Sequence, residues 1–168
     1  NTGVPALNIA LSGDIDGGLA SGLTVIAGPS KHFKSNISLI MVAAYLKENE
    51  DAVALLYDSE FGITPEYLAN FDIDTSRVLH TPVEHVEQLK FDIVKQLEEI
   101  DVKDKVIIMI DSIGNLASKK ELEDAINEKS VADMSRAKSL KGLFRIITPY
   151  LNTRDIPLIC VNHTYKEI

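Results

Sequence analysis

AGPSKHFKSN, Ala27–Asn36, is the stretch on which the reading of this chain turns. It follows the short apolar run Leu23–Ala27 and leads into an apolar-rich stretch, Lys34 to about Glu48, whose length favours a helix. A strand that turns through glycine into a helix can hold a triphosphate. Backbone N–H groups point inward, a lysine reaches the outer phosphates, a hydroxyl meets magnesium and a helix N-terminus stands behind them. Gly28, Lys34 and Ser35 supply that spacing, with Pro29, Ser30, Lys31, His32 and Phe33 between them and Asn36 following. The pattern GxxxxGK[ST] lacks its second glycine, because Phe33 stands there. A Cβ at that position discourages the left-handed backbone angles the loop can require. An ordinary strand-to-helix turn therefore stays open as the alternative.

Outward from this loop the chain alternates strands and helices. Ala52–Asp58 (AVALLYD), Lys105–Ser112 (KVIIMIDS) and Pro157–His163 (PLICVNH) read as buried strands, and Arg77–His80 as a weaker one. Val83–Ile100 reads as a helix: Val86, Leu89, Ile93, Leu97 and Ile100 fall three or four apart on one face. The region from about Ala117 to Tyr150 reads as two helical pieces. Strands spaced by helical crossovers imply an α/β fold, a mostly parallel sheet flanked by helices on both faces, with ligands at the carboxyl ends of the strands. Polar residues sit at those ends: the loop after the first strand, Asp58 and Glu60 after the second, Asp111 and Ser112 after the fourth, Asn162 and His163 after the fifth.

Composition bounds the function classes. With 168 residues, 45% hydrophobic and 25% charged, the chain can bury one sizeable core, and residues 1–168 read as one domain. A single cysteine, Cys160, excludes an internal disulfide framework and reads as a small buried hydrophobe in a reducing compartment. No apolar run approaches a membrane span and there is no leader pattern, so the expected location is cytoplasmic, with no membrane partner. A net charge of −8 argues against binding nucleic acid through overall charge, so such binding must come from a local patch. The chain opens on NTGVP without an initiator methionine and stops soon after a strand. It reads as a core fragment cut at both ends.

Two acids fit phosphoryl chemistry. Glu60, two residues past Asp58, can orient and polarise an attacking water, although a solvated loop carboxylate is the plain alternative. Asp111 closes the apolar run VIIMI. A buried acid there needs a partner, and a magnesium ion shared with Ser35 would be one, a cap on the next segment another.

GPSKHFKSN, YDSEFGITPEYL, VIIMIDSIGNLASKKE and ICVNH together resemble the ATPase core of RecA-type recombinases, a P-loop NTPase fold. The likeness is nearest to the UvsX branch of T4-like bacteriophages, which also has Phe before the loop lysine. The resemblance runs over nearly the whole chain and implies ATP and Mg2+ as ligands. It implies Lys34 on the β and γ phosphates, Ser35 and Asp111 on the metal, and Glu60 as the catalytic glutamate. It also implies Tyr67 on the adenine and His163 as the γ-phosphate sensor, where bacterial RecA has glutamine. Thr64 stands where the family often has an acid, which leaves the base contact open. It further implies an N-terminal filament-docking segment and a second DNA loop outside this chain, and hydrolysis that draws on a neighbouring subunit. The isolated fragment is expected to turn ATP over weakly or not at all.

The DNA side is read from the segment of roughly Lys119 to Arg145, which the resemblance makes the first DNA loop and its helix. Lys138, Lys141 and Arg145 fall within one arc of about 60° on a helix, a basic stripe that suits phosphates, or simply a solvated face. Arg136 lies on the apolar side of that wheel and aligns with a DNA-contacting arginine of bacterial RecA, which ranks it first among the DNA candidates. His32, His80 and His85 show no ligand-like arrangement. The resulting expectation is an ATP-dependent recombinase core whose intact form makes helical filaments on single-stranded DNA, pairs them with homologous duplex and exchanges strands in recombination, repair and recombination-dependent replication. The rivals are a RecA-fold ATPase or kinase acting on a non-DNA partner, and a non-hydrolysing interaction module.

Overall fold

The computed structural model describes residues 1–127 and 134–165. Residues 128–133 of the segment read as the first DNA loop lie outside that range. Five strands form one parallel sheet: β1 (Gly22–Gly28), β2 (Val53–Asp58), β3 (Val78–Pro82), β4 (Val106–Asp111) and β5 (Pro157–His163), in the order β1-β5-β4-β2-β3. The helices are α1 (Pro5–Ser12), α2 (Lys34–Glu48), α3 (Pro65–Ala69), α4 (Val86–Glu99), α5 (Lys119–Ile126) and α6 (Ser135–Thr153), with a 3-10 turn at Thr75–Arg77.

The two-residue period of a strand sends successive side chains to opposite faces, and two cores follow from it. Leu55 and Tyr57 of β2, Ile108 and Ile110 of β4, and Leu158 and Cys160 of β5 pack under α4 and α6. Their neighbours Ala54, Leu56, Ile107, Met109, Ile159 and Val161 pack on the other face with Leu39, Met41, Val42 and Leu46 of α2. This is why those strands read as continuous apolar runs: both faces are covered. Cys160 is buried, as its surroundings suggested, and its thiol is pushed up to about 12 by that burial and by the Asp111 charge.

Several boundaries differ from the sequence reading, each for a local reason. α4 starts at Val86 rather than Val83, because His85 caps it through Nδ1, which accepts from Gln88 N–H at 3.2 Å, while Val83 N–H bonds Asp58 O at 3.0 Å. α6 runs past Tyr150 to Thr153 with Pro149 inside it. α3 has five residues, too few for a period, and is defined by the Thr64 hydroxyl accepting from Tyr67 N–H.

Register puts the polar strand ends side by side. Asp58 pairs with Asp111, and Gly28 with His163. Because all strands run the same way, the loops after β1, β2, β4 and β5 open on one sheet edge.

Ile108, fully buried on the central strand, fixes the size of the α4–α6 core. Ile108→Ala is expected to cost about 2–5 kcal/mol in urea unfolding. Phe91→Ala, at a ring that is 69% exposed, is expected to stay within about 0.5 kcal/mol. Equal effects would contradict this packing.

Candidate functional site

The loop between β1 and α2 takes the backbone conformation that Phe33 was expected to resist. Phe33 is left-handed, with φ 58° and ψ 23°, and Lys31 has φ 62°. For residues with a Cβ this costs about 1–2 kcal/mol each. The Phe33 ring is 71% exposed, so it stands at the rim and leaves the cradle open. α2 begins immediately after it with no side-chain cap. Its first-turn N–H groups and its dipole are thereby available to an anion. His32 Nδ1 lies 2.8 Å from Ser30 O and helps to close the turn.

Lys34 is buried, and its ammonium donates to Pro29 O at 2.6 Å. A buried ammonium carries three donors. One is satisfied by the loop itself, which holds the group inside the cradle where phosphate oxygens can take up the rest. Ser38, one turn on, donates to Lys34 O at 2.8 Å and secures the helix start.

The next residue ties the loop to the sheet. The Ser35 hydroxyl donates to Asp111 Oδ2 at 2.5 Å across 76 positions of sequence. Asp111 is 3% exposed, and its other oxygen, Oδ1, is buried with no hydrogen-bond partner. Burial raises the Asp111 pKa, the Ser35 bond opposes that, and the nearby Glu60 and Asp58 charges raise it further. A buried acid with an unpaired oxygen and a hydroxyl beside it makes a pair of hard oxygen donors. That suits a hydrated magnesium ion, which takes one or two protein groups and fills its shell with water and phosphate. Among the described residues no set of three or more His, Cys, Asp or Glu could hold a metal ion without other ligands.

Glu60 stands over the same edge. Its Oε1 accepts from Ser112 Oγ at 3.2 Å and Asn115 Nδ2 at 2.9 Å, and lies 2.5 Å from His163 Nε2. His163, expected only as a strand-end sensor, therefore touches the expected catalytic acid directly. The backbone under Glu60 is shaped by Asp58. This fully buried carboxylate accepts from the N–H groups of Glu60, Phe61 and Ile63 at 3.0, 2.8 and 3.2 Å, and from His80 Nε2 at 3.1 Å. Ser59 and Ser112 lock the ends of β2 and β4 together: Ser59 Oγ donates to Ser112 O at 2.6 Å, and Ser112 N–H donates to Ser59 Oγ at 2.9 Å. The sequence reading passed over the tasks of Asp58, Ser112 and Asn115. Their signal was weak: short polar residues one to four positions from the strand-end acids.

Tyr67, at the start of α3, donates its hydroxyl to Asn36 Oδ1, and its ring meets Phe71 edge-on at 5.5 Å. Burial raises the Tyr67 pKa and the Asp111 charge adds to it. Residues 30–36, Glu60, Tyr67, Asp111, Val161 and His163 line one open cavity of about 500 Å3. Gly28 and Pro29 are not among its lining residues, although Pro29 O holds the Lys34 ammonium. A wider depression of about 810 Å3 lies between the N-terminus and α2, lined by Lys47, Glu48, Asp72, Asp74 and Arg77 among others, and includes none of the strand-end acids.

The basic residues expected to meet DNA, Lys138 and Lys141, are exposed on α6 together with Arg145, while Leu140 packs on the core and Ile147 is buried. Arg136 points elsewhere. Its Nε donates to Leu116 O at 2.6 Å and its Nη2 to Ile113 O and Gly114 O at 3.0 and 3.4 Å. Its first place among the DNA candidates does not follow from this geometry, because its donors are turned onto backbone carbonyls.

Among the described residues no helix is long and apolar enough to cross a membrane. The RecA N-terminal domain model matches residues 1–168. The chain is 59% identical over 165 residues to the recombination and repair protein of Enterobacteria phage T4, covering 98% of this chain and 42% of that protein. It is 30% identical to Protein RecA of Kineococcus radiotolerans, over 99% of this chain and 45% of that one. To Protein RecA of Mesomycoplasma hyopneumoniae strain J it is 28% identical, over 100% and 47%. The chain spans slightly under half the length of these relatives. With a five-stranded parallel sheet, helices on both faces and a family match from end to end, the chain belongs to the RecA N-terminal domain family.

Proposed function

We propose that this chain is the ATP- and Mg2+-binding core of a DNA recombinase. In the intact protein it forms a filament on single-stranded DNA, pairs it with homologous duplex and hydrolyses ATP to let go. The observation that carries this reading is the convergence of Lys34, Ser35, Asp111 and Glu60 on one cavity at the strand ends. The phage T4 relative is a recombination and repair protein, which supports the DNA side.

Each residue then has a task. The first-turn N–H groups of α2 and the Lys34 ammonium hold the outer phosphates, Lys34 exchanging Pro29 O for phosphate oxygen. Ser35 and Asp111 would hold magnesium, the Asp111 side through water. The ion, when bound, neutralises charge on the outer phosphates. Glu60 orients and polarises the attacking water. His163, in contact with Glu60, is placed to register whether the γ-phosphate is there. Tyr67 packs on the base at the cavity's outer side. ATP acts as a conformational ligand because it binds the extended and compact filament states differently. Lys138 and Lys141 offer charge to DNA phosphates, and any DNA contact by Arg136 requires its release from three carbonyls.

Three measurements test this. Glu60→Gln in the intact protein is expected to lower ATP turnover by at least about 100-fold, the low end for losing a general base, while nucleotide still binds and DNA-bound filaments last longer. Normal turnover would remove Glu60 from the role. Lys138→Ala with Lys141→Ala is expected to reduce the salt slope of single-stranded DNA binding by about 1.4, at about 0.7 per lost phosphate contact, with ATP affinity unchanged. An unchanged slope would move the DNA face elsewhere.

The third uses the raised pKa of Asp111. A carboxyl whose folded pKa lies above its unfolded value costs stability once pH rises past the unfolded pKa, and the cost levels off above the folded one. Without nucleotide at neutral pH, Asp111→Asn is therefore expected to raise Tm, and to abolish the further rise on adding Mg·ATP. A lower Tm in the variant would contradict the assignment of a strained, metal-seeking acid.

A further inference from the structure

The turn after β4 connects α6 to the Glu60 carboxylate. Residues 113–116 form a tight turn, with Leu116 N–H bonding Ile113 O at 3.4 Å and the Leu116 side chain buried. The turn is held at both ends. Ile113 N–H donates to Val161 O of β5 at 2.9 Å, and Arg136, the second residue of α6, donates to the carbonyls of Ile113, Gly114 and Leu116. Gly114 lies so close to β5 that a Cβ there would stand 3.0 Å from Asn162 Oδ1 and 3.4 Å from His163 N. A turn pinned in this way has little freedom to slide. It presents one side chain, Asn115, whose Nδ2 donates to Glu60 Oε1 at 2.9 Å.

The chemistry at that oxygen is unusual. A carboxylate oxygen offers about two lone-pair sites, yet Glu60 Oε1 faces three protein groups: Ser112 Oγ, Asn115 Nδ2 and His163 Nε2. The three contacts fix where the carboxylate points, while its second oxygen, Oε2, accepts from none of them. Ser112 is fixed to β2 through Ser59, and His163 belongs to β5 itself. Asn115 is the partner whose position depends on α6.

We infer that Asn115 is a positioning residue that parks the Glu60 carboxylate, and that Arg136 sets it by gripping the 113–116 turn. A pull on the first turn of α6, such as a polyanion engaging its basic side, loosens the turn and withdraws the Asn115 amide. Glu60 is then free to swing its carboxylate toward the attacking water. The inference rests on the reading of Glu60 under Proposed function. It gives Arg136 a task inside the protein, as the strut between the DNA-facing helix and the acid.

The experiment is steady-state ATP hydrolysis by the intact protein with and without a poly(dT) oligonucleotide, for the parent, Asn115→Ala, Asn115→Asp, Arg136→Gln and the Asn115→Ala/Arg136→Gln pair. Thermal melts accompany each variant. Asn115→Ala is expected to raise the DNA-free kcat about 3–10-fold, the rate equivalent of a bond worth about 0.6–1.4 kcal/mol, with KM for ATP within twofold and stimulation by poly(dT) correspondingly smaller. Asn115→Asp, which replaces a donor with a repelling acceptor, is expected to match or exceed it. Arg136→Gln is expected to move the rate the same way, and the pair to gain no more than the larger single change, since both act through one turn. A merely structural role lowers Tm and depresses both rates in parallel, and that result would overturn the inference. So would an unchanged or reduced DNA-free kcat in both Asn115 variants, or additive gains in the pair. A parent protein without ATP turnover, or with turnover that poly(dT) does not stimulate, would overturn the functional reading itself and this inference with it.

Discussion

The bond from the Ser35 hydroxyl to Asp111 joins two parts of the chain that share no local sequence, and the site depends on it. It brings the first turn of α2 to the end of β4 at 2.5 Å. One side supplies N–H groups and an ammonium, the other a buried carboxylate with an oxygen still unpaired. On the proposed function, neither half alone would hold Mg-triphosphate. The helix start alone is a general anion site, and the acid alone is a cost carried by the fold.

The parallel sheet makes this junction possible. Strands running in one direction deliver all their outgoing loops to one edge, and the pairing of Asp58 with Asp111 sets the acids in neighbouring positions. They divide the work by what surrounds them. Asp58 is saturated by three backbone N–H groups and a histidine, and serves as the scaffold for the Glu60 loop. Asp111 is left with an oxygen to spare. Like residues thus acquire unlike roles through hydrogen-bond partners alone.

Much of this was legible in the sequence because burial writes a clear pattern. α2 and β5 fall at the residues expected, since each is an apolar run bounded by polar groups, and the strand-end acids stood out against VALLY and VIIMI. The loop was readable from Gly28, Lys34 and Ser35 despite Phe33. What the sequence could not supply was how Phe33 resolves its conflict: it accepts a left-handed backbone and turns its ring to solvent. Short elements were also invisible. α3 rests on a Thr64 cap, and the start of α4 on a histidine ring nitrogen accepting a backbone N–H, features with no periodicity to read. Arg136 illustrates the remaining limit. A helical wheel places it beside the core, but only the three-dimensional fold turns its guanidinium onto the carbonyls of the turn after β4.

The most direct test is a crystal structure of the chain with magnesium and a non-hydrolysable ATP analogue. The account predicts that the Lys34 ammonium leaves Pro29 O for phosphate oxygens, that Ser35 and Asp111 flank the ion, and that Phe33 stays at the rim. A nucleotide bound away from the β1–α2 loop, or a metal held without either Ser35 or Asp111 nearby, would contradict it.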